Sequence, residues 1–195
     1  MTILPVLFII ASLLGNGGFE DGKDSPAFWH VNTIGDVKGQ VQWGKNVVFD
    51  SKIFKSGRRS VKFLMNEKAA EFESIASIEG FGFESDLIPV QFGKKYIVSA
   101  DIRAEGKTSG RIPYVLVFVK GYKDDPDKGK FQVFQFQMDC EFKKEEEGEW
   151  RHFETDFPIP KESIKEVRVI LYACYPAGIV WFDNIDLREV TEANN

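Results

Sequence analysis

Cysteine is scarce in this chain: its 195 residues hold two, Cys140 and Cys174, far apart and each inside a strand-like run. Two thiols make no disulfide framework at this size, so both are expected to be buried and free, with an apolar core holding the fold. Histidine is equally rare. His30 and His152 are the only two, and neither has a second His or a Cys at metal-ligand spacing. No nucleophile elbow and no phosphate-cradling glycine loop occur. No Asn-x-Ser/Thr sequon occurs either. The net charge is -5, which argues against a nucleic-acid partner, because phosphate contacts want clustered Lys and Arg. The short basic group Lys55, Arg58 and Arg59 reads as a solvated turn. No apolar run reaches the ~20 residues that a membrane-spanning helix needs. Long helical periodicity, internal repeats and low-complexity linkers are also missing.

What is present is apolar sequence in short pieces. Residues 2–14 are almost wholly apolar, a length that suits a secretory signal core. Cleavage after Ala11 or Ser12 would leave Leu13 and Leu14 to begin the fold, so residues 1–12 are read as a signal or N-terminal apolar segment. Residues 13–190 are read as one domain and 191–195 as a tail. The expected location is secreted, periplasmic or cell-surface. Within the domain, alternating or continuous apolar runs lie between turn clusters, the pattern of an all-β sandwich. Strands are predicted at Leu14–Glu20, Val41–Phe49, Ser60–Asn66, Glu73–Ile78, Lys95–Ala104, Ile112–Lys120, Phe131–Phe142, Arg151–Phe157, Val167–Tyr175 and Ile179–Leu187. The charged run Lys143–Glu149 reads as a hairpin tip, and one helical turn is expected near Lys161–Lys165.

Side chains alternate across a strand, so parity assigns faces. Tyr96, Val98, Ala100 and Ile102 form one apolar set, as do Val115, Val117 and Val119. Phe134, Phe136 and Met138 form another, and Val167, Val169, Leu171 and Ala173 a fourth. The residues left facing away include Arg103, Tyr114, Phe118, Gln135, Gln137, Arg168 and Tyr172. Aromatic rings mixed with amides and guanidinium groups suit a sugar: rings stack on pyranose C–H faces, and Gln or Arg hydrogen-bond the hydroxyls. These seven residues are the candidate ligand-binding face. Asp101 and Asp139 share the polar side by parity, but neither sits in a catalytic motif, so no enzyme activity is expected.

Two segments bracket the domain: Gly15-Asn16-Gly17-Gly18-Phe19-Glu20-Asp21-Gly22 and Val180-Trp181-Phe182-Asp183-Asn184-Ile185-Asp186-Leu187. A sandwich whose first and last strands are neighbours brings Glu20 to Asp183, and two close carboxylates repel unless a proton or cation intervenes. Together with Lys55-Ser56-Gly57-Arg58-Arg59-Ser60-Val61-Lys62, Phe92-Gly93-Lys94-Lys95-Tyr96-Ile97-Val98-Ser99-Ala100 and Gly148-Glu149-Trp150-Arg151-His152-Phe153, these bookends resemble carbohydrate-binding modules of the family 4/9/16/22 type. The resemblance runs from about Leu14 to Glu189. It implies a galactose-binding-like jelly roll of two antiparallel sheets. It also implies non-catalytic polysaccharide binding on a concave face, with oligosaccharide or polysaccharide as partner and a glycoside hydrolase or other surface protein as neighbour. It further implies a structural calcium, held by the Glu20 and Asp183 carboxylates and by carbonyls near Gly18 and Lys52. The alternatives are a structural or adhesion sandwich serving protein contacts, and a jelly-roll lyase or hydrolase.

Overall fold

The computed structural model describes residues 11–32, 42–65, 80–107, 111–126 and 129–190. The described residues form eleven strands: β1 Trp29–Asn32, β2 Val47–Asp50, β3 Ser60–Met65, β4 Phe81–Ser85, β5 Ile88–Pro89 and β6 Lys95–Gly106, then β7 Tyr114–Asp125, β8 Gly129–Asp139, β9 Arg151–Pro158, β10 Glu166–Cys174 and β11 Gly178–Glu189. They form two antiparallel sheets. A six-stranded sheet runs β1-β4-β10-β7-β8 with β5 also pairing β10, and a five-stranded sheet runs β2-β3-β11-β6-β9. Among the described residues no helix is long and apolar enough to cross a membrane.

Parity builds the core as expected. Val98, Ala100 and Ile102 of β6, Val115, Val117 and Val119 of β7, and Val167, Val169, Leu171 and Ala173 of β10 have no solvent exposure. Each fully buried Val or Leu contributes on the order of 1.5–3 kcal/mol relative to an exposed one. Rings fill the space between the sheets. Phe136 of β8 stacks on Phe157 of β9 at 5.0 Å, and Trp29 stacks on Phe83 at 5.5 Å. The buried Tyr96 phenol is satisfied by the backbone N–H of Gln91 at 2.9 Å. Both cysteines are free and buried.

Several boundaries differ from the sequence expectation. Leu14–Glu20 is not a strand: Asn16 and Phe19 have φ of 54° and 58°, and the Phe19 N–H donates to the Asn16 carbonyl at 3.0 Å. The glycine-rich run coils there, yet Leu13 N still donates to Leu187 O at 2.7 Å and Phe19 is fully buried. Of Val41–Phe49, residues 42–46 carry a turn around Gly44, whose φ is 82°, and Val41 lies outside the described residues. The strand expected at Glu73–Ile78 lies outside the described residues. Strands β1, β4 and β5 were not anticipated. β4 begins Phe81-Gly82-Phe83, and its glycine breaks the propensity signal; its place is set by pairing with β1 and β10. The expected hairpin tip at Lys143–Glu149 is instead a single 3-10 turn over Lys144–Glu146. Near Lys161–Lys165 the chain makes one turn, with Ile164 N donating to Lys161 O at 3.1 Å.

Candidate functional site

The outer face of the six-stranded sheet gathers six of the seven predicted ligand residues. Cross-strand register sets them in rows over β10, β7 and β8: Arg168, Lys120 and Gln135; Ile170, Phe118 and Gln137; Tyr172, Leu116 and Asp139. Tyr114 follows at the end of β7, opposite Cys174. The β8 register slips by one residue between its partners Gly121 and Tyr122, a bulge that places Gln132 opposite Tyr122 and leaves the Gln135, Gln137, Asp139 series facing out.

Arg103 does not join them. It lies on β6, in the five-stranded sheet, where its guanidinium sits 5.4 Å from the Trp181 ring and pairs with Glu105 at 2.6 Å. Parity separates core from outside but says nothing about which of two sheets a strand enters, and a sandwich has two outer faces. Asp101 and Asp139 are parted for the same reason. Asp101 is buried on β6, accepting from Asn184 Nδ2 at 2.8 Å and lying 3.0 Å from His152 Nδ1, whereas Asp139 is exposed on β8.

The face is open at one side and covered at the other. Leu116, Ile170, Tyr172 and Cys174 are buried on it, and the chain at Gly80 lies directly against the Tyr172 ring, where a Cβ would clash. Tyr172 therefore packs edge-on to Phe118 at 5.5 Å rather than standing in solvent. Along β7 and β8, Tyr114, Gln135, Gln137 and Asp139 are exposed, and Phe118, Lys120 and Tyr122 are half-buried. Tyr114 is 42% exposed, and its hydroxyl donates to Asp139 Oδ1 at 2.7 Å, which also accepts from Gln137 Nε2 at 2.8 Å. That bond to a carboxylate, with partial burial, raises the phenol to about 12, so Tyr114 stays a neutral donor at any physiological pH. Arg168 pairs with Glu84 across β4 and lies 6.0 Å from the Tyr122 ring.

Beyond Tyr114 the face runs into a shallow hollow beside Arg111, Pro113, Glu141 and Tyr175. Tyr175 is 40% exposed. Sequence reasoning placed it at a strand end and assigned it no role; the signal available was a tyrosine immediately before a proline in a β10–β11 turn.

The expected calcium set can be tested atom by atom. The bookends do meet: a point one bond from the Gly18 Cα lies 3.9 Å from Glu20 Cγ and 4.0 Å from Asp183 Oδ1. Every carboxylate oxygen there already accepts N–H groups. Glu20 Oε1 accepts from the backbone of Arg58 at 2.7 Å and Arg59 at 3.2 Å, and Oε2 from Arg58 Nε at 3.0 Å. Asp183 Oδ2 accepts from the backbone of Lys55 at 2.8 Å and Ser56 at 3.0 Å, and Oδ1 from Asn184 N at 2.8 Å. The Phe19 and Glu20 carbonyls accept from Arg59 at 2.8 Å and 2.9 Å. Calcium takes six to eight oxygens with their lone pairs turned toward it; here N–H groups and a guanidinium hold those lone pairs. The described residues include no group of three or more His, Cys, Asp or Glu that could hold a metal. Both carboxylates of the expected set are thus held by N–H donors, with which a calcium ion would compete. Gly57, at φ 67°, makes the clasp feasible, since a Cβ there would overlap the Glu20 carboxylate.

No protein-family model matches the sequence, and no curated protein matches it. Solved structures do. A family 61 carbohydrate-binding module, TmCBM61, solved with β-1,4-galactotriose, aligns at TM-score 0.51 with 18% identity, covering 92% of this chain and 99% of that one. The fold is that of carbohydrate-binding modules. The CBM22-1 xylan-binding domain of Paenibacillus barcinonensis Xyn10C aligns at TM-score 0.52 with 15% identity, covering 94% and 97%. A tailspike protein 4 enzymatically active domain of bacteriophage CBA120 reaches TM-score 0.63 at 8% identity, but this chain spans only 21% of it. At these identities the likeness to carbohydrate-binding modules is one of fold, and the residues must carry the rest.

Proposed function

We propose that this protein is a non-catalytic polysaccharide-binding module that uses the open β7–β8 side of the six-stranded sheet. The carrying observation is the exposed strip of Tyr114, Gln135, Gln137 and Asp139 beside half-buried Phe118, on a fold shared with a module solved with β-1,4-galactotriose and with a xylan-binding domain. Tyr114 offers a ring face to sugar C–H groups, and its hydroxyl is fixed by Asp139 so that the ring is pre-oriented. The glutamines present amide donors and acceptors two residues apart on one strand, about the 7 Å spacing of alternate strand positions. Hydration of an open strip keeps affinity modest. Two further observations support a non-catalytic role: Asp139 is spent on Tyr114 and Gln137, and Asp101 lies on the other sheet. The apolar residues 2–14 support export, which puts the strip where polysaccharides are met. Glycan-active enzymes are the natural neighbours for such a module.

Affinity electrophoresis through gels containing xylan, galactan, β-glucan, mannan or pectin tests the reading. Retardation by a polymer, abolished in Tyr114→Ala and weakened in Gln137→Ala with unchanged thermal midpoints, is the expected result. A folded protein that no polymer retards overturns it.

A further inference from the structure

The middle of the strip holds a lysine, Lys120, with no ion pair among the described residues. It is half-buried, its ammonium 5.8 Å from the Phe118 ring. Across β10 its register partner is a second cation, Arg168, which among the described residues pairs with the carboxylate of Glu84; across β8 its partner is the neutral Gln135. Two cations thus share one carboxylate. Burial lowers the Lys120 pKa, and the Glu84 charge opposes that shift. The opposite sheet shows what a satisfied face looks like: Lys62 pairs with Asp50 at 2.8 Å, Arg103 with Glu105, and Arg188 with Asp186 at 2.7 Å. In a chain of net charge -5, a partly desolvated lysine with no ion pair among the described residues, set among aromatic and amide groups, asks for an anion.

Resting on the polysaccharide-binding reading, we propose that the ligand is an acidic polysaccharide whose uronate carboxylate docks on Lys120, with the Gln135 amide as second donor. A neutral pyranose offers Lys120 only hydroxyls. A carboxylate forms a charge-assisted bond, roughly twice as strong as a neutral one, and restores alternation along Glu84, Arg168 and Lys120. The ring of the same residue, or of the next sugar, lies toward Phe118 and Tyr114.

The test compares one polymer with and without its charge. Polygalacturonate and alginate are set against fully methyl-esterified pectin, with xylan and galactan as neutral polymers and dextran sulfate as an unspecific polyanion. Wild type, Lys120→Gln and Lys120→Arg are run in affinity electrophoresis, and Kd values are taken by titration calorimetry with oligogalacturonates. The expected result is uronate binding weakened about tenfold or more by esterification and by Lys120→Gln, with Lys120→Arg retaining most of it. Equal retardation by acidic and esterified pectin overturns the inference, as does equal retardation by dextran sulfate. The esterification arm needs no variant, so a Lys120→Gln protein that fails to fold leaves the test intact. Binding to xylan or galactan alone overturns the acidic ligand and leaves the module reading standing; retardation by none of the polymers overturns both.

Discussion

Asp50 sits buried at the edge of the five-stranded sheet and answers three kinds of donor. Burial pushes its carboxyl up, but the Lys62 ammonium at 2.8 Å, the Trp181 indole N–H at 2.9 Å and the backbone N–H groups of Lys52 and Ile53 outweigh it and hold the group at about 2. The indole is thereby locked between Lys62 and Arg103 on a face where a tryptophan would otherwise meet water. A depressed carboxylate stabilises the fold fully above its unfolded value of 3.8, and that contribution is lost as pH falls through about 2. The drop from 3.8 to about 2 corresponds to roughly 2 kcal/mol. Urea midpoints measured from pH 5 down to pH 2 should fall for wild type, and Asp50→Asn should be less stable at pH 5 with a flatter profile. An Asp50→Asn profile as steep as wild type would remove Asp50 as the source.

At the scale of elements, the last strand joins the sheet to the 52–59 loop through one irregularity. The β11 register slips between Asp183 and Asp186, and Asn184 adopts φ 48°. The extra residue lets Ile185 and Leu187 return to the core while Asn184 turns aside, donating to Asp101 and accepting from Ser56 Oγ at 2.6 Å. Asp183, fully buried beside it, is pushed up by burial and by Asp101, yet it takes the loop's Lys55 and Ser56 N–H groups. Truncation to Asp183→Ala leaves those N–H groups unpaired and should cost about 2–4 kcal/mol, read as a lower urea midpoint with unchanged slope. A change within 0.5 kcal/mol would show that the loop is held elsewhere. Much of this level was legible in advance. The core stripes of β6, β7 and β10 follow directly from alternation, and the bookends predicted that the chain ends meet. Bulges and the short strands β1, β4 and β5 were not legible, because each is imposed by a partner strand distant in sequence rather than by local pattern. The coil at Asn16–Phe19 is local, and its Asn-Gly-Gly run was a turn signal that the strand expectation overrode. Arg103 fell to the wrong face for the same reason: sheet membership is a tertiary fact.

For the whole molecule, the decisive matter is what ties its two ends together. The resemblance implies an ion there; Arg58, Arg59 and the loop's own backbone N–H groups donate to the same carboxylates. Glu20 shows the consequence, since burial raises its carboxyl but the Arg58 and Arg59 donors bring it below the ordinary value. A ligand that binds only the folded state stabilises it by RT ln(1 + [L]/Kd), so a bound calcium would have to appear in the melting temperature. Each carboxylate already accepts three N–H donors, so an entering calcium competes with these bonds and the folded state gains less from it. Differential scanning calorimetry in millimolar EDTA and in millimolar calcium should therefore give the same midpoint within about 1 °C, whereas a structural ion at a thousandfold its Kd would add about 4 kcal/mol. Arg58→Ala separates the two accounts further. Under the guanidinium clasp it lowers the midpoint in both buffers alike; under an ion clasp it frees Glu20, and calcium then raises the midpoint more than it does in wild type. A calcium-dependent rise in wild type would return the ends of the chain to the metal.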